Sequence, residues 1–175
     1  MRHHDLDLNS LCLGLLFAGI IMGTATPVEA QESTTATYED WVLQCQVQPG
    51  PPAQKACDIA QVSQAQGRPV SRLAIPHPQK GQPVKLVVQV PVNVALHGNV
   101  RLQASDADPG LAVPFDRCIQ VGCFAEFDLR DDELRKFRTA TGAGKLTFTA
   151  ANNQTVAIPV SFKGFGPAFD ALAKE

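Results

Sequence analysis

Residues 115–129 read FDRCIQVGCFAEFDL. The second half alternates. Cys123, Ala125, Phe127 and Leu129 share one phase, and Phe124, Glu126 and Asp128 share the other. Successive side chains of an extended chain point to opposite faces, so this pattern predicts a half-buried strand. The first half places Cys118 and Cys123 in a Cys-x4-Cys pair just before that strand. Such a pair is open to zinc ligation, dithiol redox chemistry or a disulfide, and the choice depends on compartment.

The N-terminus carries that information. Leu11 to Gly23, LCLGLLFAGIIMG, is an uncharged apolar run. It suits the h-region of a secretory signal and is short for a membrane span, which needs about 20 residues. Val28-Glu29-Ala30 puts small residues at −3 and −1, which predicts cleavage between Ala30 and Gln31. An uncleaved anchor extended through Thr24 and Pro27 is the alternative. Cys12 stands at the start of the apolar run and is expected to leave with the signal. The expected organisation is a signal peptide at 1–30, a flexible polar arm at 31–37 (QESTTAT) and one domain at 38–175. The location implied is periplasmic or secreted, without a stable membrane span once the signal is removed.

Without residues 1–30 the chain keeps 14 basic and 14 acidic side chains, since Arg2, Asp5, Asp7 and Glu29 are lost. A neutral balance leaves no basic footprint, so nucleic acid is not an expected partner. The charges from Asp128 to Arg138 are mixed in sign and predict a helix at about Asp131–Arg138 with a solvated charged face and a narrow apolar stripe of Leu134 and Phe137. Its first turn is acidic and its last basic, which suits the helix macrodipole.

Four cysteines remain, at 45, 57, 118 and 123. An even count behind a signal peptide predicts disulfides. Three connectivities are possible. The local one, Cys45–Cys57 with Cys118–Cys123, closes short loops and is the one expected, each bridge contributing about 2–3 kcal/mol. Zinc is disfavoured because Cys-x4-Cys is at the edge of usual ligand spacing and exported thiols oxidise. The remaining histidines, His77 and His97, lie beside Pro or Gly turns. A catalytic dithiol prefers Cys-x-x-Cys at a helix start, whereas Cys123 opens a strand. No metal and no cofactor are expected.

Outward from this stretch the period-two pattern recurs. Trp41, Leu43, Cys45 and Val47 alternate until QPGPP at 48–52, and Cys57 and Ile59 begin a return strand. Gly67-Arg68-Pro69 marks a turn, and PHPQKGQP at 76–83 a loop. Leu86, Val88 and Val90 alternate, as do Val100, Leu102 and Ala104. Leu146 and Phe148 pair with Val156, Ile158, Val160 and Phe162 in a predicted hairpin through ANNQ, because Asn tolerates left-handed turn geometry. Pro159 lacks an amide donor and predicts an edge strand or a solvent-directed position. Ala168, Phe169 and Leu172 follow Pro167 at helical spacing and predict a short closing helix. Many short strands with few helices predict an all-β sandwich, with a closed barrel as the alternative.

Motifs for catalysis are missing: no Gly-x-Ser-x-Gly, no His-Glu-x-x-His and no phosphate-binding glycine loop. Catalytic residues are therefore not assigned. Asp106 and Asp108 in SDADPG resemble a calcium loop faintly but lack its later ligands, and read as solvated residues of a Pro-Gly turn. His97 reads as a surface residue. Trp41 has the spacing of a core residue, and Gly164-Phe165-Gly166 that of a strand-to-helix connection whose Phe packs inward. Ile119 and Val121 lie within the small Cys118–Cys123 ring, which is too small to bury both. They either pack under the loop, which is the commoner fate of such hydrophobes, or point outward as a rigid tip that contacts a partner.

Taken together, WVLQC at 41–45 with Cys57, VPVNVALHGNVRLQ at 90–103, CIQVGCFAEFDL at 118–129 and VSFKGFGPAFDAL at 160–172 resemble the invasion-associated locus B family of bacterial exported proteins. The resemblance implies an immunoglobulin-like β-sandwich, export to the periplasm or beyond, and, in pathogenic members, a part in entering host cells. It supplies no catalytic residues. The Pro-rich loop IPHPQKGQP departs from the pattern. The expected function is a non-enzymatic interaction protein with a protein partner on the envelope or a host cell surface. An envelope-maintenance module and a small-ligand binder or enzyme are the rivals.

Overall fold

Each apolar alternation in the first half of the chain ends at turn-forming residues, so consecutive strands fold back on one another. The computed structural model describes residues 33–175; the expected signal segment and its cleavage site lie outside the described residues. Strands β1 (Ser33–Tyr38), β2 (Trp41–Gln48), β3 (Gln54–Ala65), β4 (Arg68–Pro76) and β5 (Val84–Val90) form a meander. Between β3 and β4 the loop is Gln66-Gly67, at φ 52 and 72, the pair of positive angles that matches the twist of a two-residue hairpin.

The meander continues sideways into β9 (Gly122–Leu129) and β8 (Arg117–Ile119), giving a seven-stranded sheet of order β1-β2-β3-β4-β5-β9-β8. A four-stranded sheet of order β11-β10-β6-β7 packs on it, from β6 (Asn99–Gln103), β7 (Leu111–Pro114), β10 (Ala143–Thr149) and β11 (Thr155–Ser161). All pairings are antiparallel. Helices α1 (Asp131–Thr139) and α2 (Phe165–Leu172) complete the chain. The expected all-β, immunoglobulin-like sandwich with short helices is what forms.

One core joins both sheets. Leu43, Ile59, Leu73, Leu86, Val88, Ala125 and Phe127 from one sheet meet Val100, Leu102, Leu146, Ile158 and Val160 from the other, all buried. Trp41 is fully buried, as its spacing predicts, with its ring 5.1 Å from Phe165 in an edge-on contact. Phe137 of α1 stacks on Phe162 at 4.6 Å. Phe165 packs inward, as expected of the connection before α2.

Polar side chains of β2 and β3 tie the larger sheet to β11. Trp41 Nε1 donates to the Ser161 carbonyl at 3.0 Å. Gln61, buried in β3, donates to the same carbonyl at 2.7 Å and accepts from the Ser161 amide at 3.0 Å. Ser63 Oγ donates to the Pro159 carbonyl at 2.9 Å. Ser161 and Pro159 thus direct their outward peptide groups to β3 rather than to β10. Pro159 stands on an edge strand, as predicted, in a phase where its missing amide costs no ladder bond.

Three expectations are corrected. Residues 33–37 of the expected flexible arm form β1, in register from Ser33↔Gln46 to Tyr38↔Trp41. β-branched Thr34, Thr35 and Thr37 favour extended chain, and an edge strand exposed on both faces needs no apolar residues. Asp108 is not solvated. Its carboxylate is buried and accepts from the Ala104 amide at 2.8 Å, the Gly110 amide at 3.2 Å and Lys136 Nζ at 2.8 Å, while Asp106 remains exposed and pairs with Lys145 at 3.0 Å. The charged face of the helix at 131–139 is not wholly solvated either, while Leu134 and Phe137 form its expected apolar stripe. Glu133 is buried and accepts from the Arg130 amide at 2.8 Å, capping the first turn.

Candidate interaction surface

Strand β8 is three residues long, and the register Cys118↔Cys123 and Ile119↔Gly122 leaves only Gln120 and Val121 as the loop. Two-residue hairpin loops normally use positive φ at their centre, but neither Gln120 nor Val121 adopts it. Gly122, at φ 150, takes up the mismatch. A Cβ at 122 would lie 2.6 Å from the Val90 carbonyl oxygen, so only glycine lets this turn approach β5. The Cys118–Cys123 disulfide then clamps the pair adjoining the turn, and Gln89 Nε2 donates to the Val121 carbonyl at 2.8 Å. The other bridge is Cys45–Cys57, across β2 and β3. Both disulfides have the local connectivity expected from the sequence.

Ile119 and Val121 point outward, 51 % and 68 % exposed. Packing under the loop, their more expected fate, is overturned. The ring lies on an edge hairpin, and the core face beneath it is already filled by Cys123 and Val90. Val121 borders a shallow depression of about 330 Å³ on the outer face of the sheet, with Val62, Pro69, Val70 and Pro91 as its apolar wall. Arg72 and Gln89 supply the polar part of that wall, and Arg72 is ion-paired to Asp58.

Charged pairs line β5, β8 and β9, those of Arg117 next to the tip and that of Lys85 at the far end of β9. Arg117 bonds Glu126 at 3.1 Å and Asp116 at 2.6 Å, and its guanidinium lies 5.0 Å from the Phe124 ring centroid. Hydrogen bonds to Glu126 and Asp116 hold Arg117 protonated more firmly than usual. Lys85 is raised likewise by Asp128, at 2.9 Å, and by Glu126. These pairs are solvent-exposed and contribute little to stability. Their effect is geometric: they keep the long side chains on the sheet and leave the apolar tip uncovered.

The family model described as Invasion associated locus B (IalB) protein matches residues 41–173. The chain belongs to the IalB family. An invasion protein B homolog of Brucella abortus (strain 2308) is 29 % identical over 159 residues, covering 89 % of this chain and 85 % of its own. A homolog from Brucella abortus biovar 1 (strain 9-941) matches to the same extent. The crystal structure of invasion associated protein b from Bartonella henselae superposes with a TM-score of 0.69 at 23 % identity, covering 81 % of this chain and 95 % of that one, which supports the shared fold. Two disulfides in a member of this family fit an oxidising, extracytoplasmic setting.

The structure brings Val121 of the sequence reading together with residues that reading missed, Val62, Gln89 and Pro91, while Ile119 is exposed on β8 and does not line the depression. A signal for Val62 exists. It lies in the solvent phase of β3, out of step with Ile59 and Gln61, where an apolar side chain has no core to fill. The disulfides themselves differ in access. Cys45, Cys57 and Cys123 are buried, whereas Cys118 is exposed. A phosphine or thiol reductant is therefore expected to open Cys118–Cys123 first, because exchange requires access to a sulfur. Alkylation after graded reduction, read by peptide mapping, checks this; earlier labelling of Cys45 or Cys57 would contradict it.

Proposed function

We propose that this IalB-family protein acts outside the cytoplasm as a non-catalytic interaction protein that presents its disulfide-clasped tip to a partner protein. The observation that carries the reading is the pair Ile119 and Val121, exposed on a hairpin that a disulfide holds in place. An apolar centre flanked by the ion pairs of Arg117 has the composition of a protein–protein contact. A pre-formed loop also loses less conformational entropy on binding than a mobile one. The names of the Brucella relatives favour a partner met during contact with a host cell, on the host surface or in the bacterium's own envelope. Location in the periplasm or release from the cell follows from the same reading.

The test is Ile119→Ser with Val121→Ser. Both side chains are exposed, so unfolding stability is expected to change by no more than about 0.5 kcal/mol per site. Binding of fluorescently labelled protein to intact host cells and to bacterial envelope vesicles is expected to fall by about tenfold or more on whichever surface carries the partner, as for central apolar anchors. Undiminished binding to both surfaces by a folded double variant refutes the tip as the contact. Host-cell binding lost with vesicle binding intact places the partner on the host, and the reverse places it in the envelope.

A further inference from the structure

The two sheets are zipped along one side and open along the rest of it. Gln61 and Ser63 of β3 occupy the outward peptide groups of Ser161 and Pro159 on β11. The next residue in that phase is Ala157, which is exposed. Its amide and carbonyl also point away from β10, because alternate residues of an antiparallel edge strand face outward. Nothing on β3 reaches them. The β3–β4 register shifts at this point, because Ser63 pairs with Ser71 and Gln64 with Pro69; Val70 is the extra residue of a bulge on β4, and a bulge raises the local twist of the ribbon. Ala65, farther along β3, offers only a methyl group. Among the described residues no hydrogen bond to the Ala157 peptide groups is formed.

Behind this open half of the edge is a cleft of about 410 Å³. Val70, Pro91, Phe148, Val156 and Ile158 give it apolar walls, and Val92, 52 % exposed, stands at its mouth. A free peptide donor and acceptor beside an apolar trough define a ligand chemistry. The ligand must carry donor and acceptor groups at strand spacing and apolar groups on alternate positions.

We propose that the open half of the β11 edge and the cleft behind it accept an extended apolar segment of a partner polypeptide by strand addition. An alkyl chain would fill the trough but leave the Ala157 peptide groups unmatched. The same edge of a second copy fits poorly, since Gln61, Ser63 and Pro159 seal half of β11 and leave only Thr155–Ala157 for symmetric pairing. This site does not use Ile119 or Val121.

The test uses the intact protein and a capped peptide of alternating threonine and valine with a lysine at each end, followed by amide resonances in NMR titration. Addition is expected to move the amide resonances of Val156–Ile158 and of Val92. Ala157→Pro removes the outward donor in a phase where Pro159 is already accommodated, so the fold is expected to persist. Its affinity for the peptide should drop by about tenfold, the worth of one backbone hydrogen bond plus the lost fit. Val92→Asp, at an exposed position, should weaken binding without touching the ladder. The Ile119→Ser, Val121→Ser protein should bind the peptide as the native one does, which keeps this test separate from that of the tip. The proposal is overturned if the cleft resonances do not move. It is equally overturned if dodecanoate, or the peptide N-methylated on its pairing edge, binds as well as the unmodified peptide, or if the protein dimerises through β11 instead.

Discussion

Gly164→Ala is expected to lower the unfolding free energy by about 2–5 kcal/mol. Gly164 precedes α2 at φ 79, the left-handed region that costs an alanine about 1–2 kcal/mol. The larger part is steric. A Cβ there would lie 2.0 Å from the carbonyl oxygen of Tyr38, so either β1 or α2 must move. Neither moves freely, because Phe165 and Leu172 of α2 are fully buried and Tyr38 is paired with Trp41. Gly67→Ala separates the two contributions. Gly67 has a similar angle, φ 72, but an added Cβ meets nothing within 4 Å, so only the backbone cost of about 1–2 kcal/mol applies. Urea unfolding of the two variants measures the difference as a midpoint shift at constant slope. Equal shifts for both would show that the Tyr38 contact is not what requires glycine at 164.

Asp108→Ala is expected to cost about 2–4 kcal/mol at neutral pH and to blunt the acid sensitivity of the fold. The substitution leaves the buried Ala104 amide without its acceptor and Lys136 without its partner. Burial acts to raise the Asp108 pKa, but the amides of Ala104 and Gly110 together with Lys136 outweigh it and hold the carboxyl below its ordinary range. A carboxylate with a folded-state pKa below its unfolded one adds stability above the unfolded value, and that stability is lost as pH falls through the folded one. The native protein should therefore lose this contribution below about pH 4, and the alanine variant has none to lose. The exposed pairs Arg130–Asp132 and Arg138–Asp170 shift their carboxylates the same way but are screened by solvent. Asp108→Asn keeps the shape and one acceptor while removing the charge, so its stability should fall between the two. The measurement is melting temperature against pH for all three proteins; parallel native and alanine profiles would sink the argument.

What could be read in the residues was whatever depends on local alternation. The faces of β5 and β9, the burial of Trp41, the edge position of Pro159 and the turn at Asn153, φ 64, all follow from period-two patterning and turn chemistry. What could not be read depends on partners distant in sequence or on direction at a turn. The buried Asp108 is charge-paired by Lys136, which reaches it from α1, and nothing near SDADPG announces that partner. The strand β1 hides behind a polar composition because an edge exposed on both faces needs no apolar phase. Ile119 and Val121 are apolar whichever way they face, and their direction is set by the Gln120-Val121 loop and the filled core beneath it. The cleft beside Ala157 is lined by Val70, the extra residue of a bulge on β4, a one-residue irregularity that apolar periodicity does not register.

The contact between the two ends of the chain bears on when the protein can finish folding. Trp41 opens β2, yet its ring is covered by Phe165 and its indole donor is met by Ser161. A nascent chain emerges N-terminus first. The meander from β1 to β5 has its ladder partners at once, since every pairing within it is between neighbours. Its one tryptophan nevertheless stays uncovered until the final helix has been made. Burial of the largest aromatic group therefore requires the segment from Ser161 to Phe165 to dock on β2. Tryptophan fluorescence is consequently a reporter of the docking of Ser161 and Phe165 on β2 rather than of the pairing within the meander.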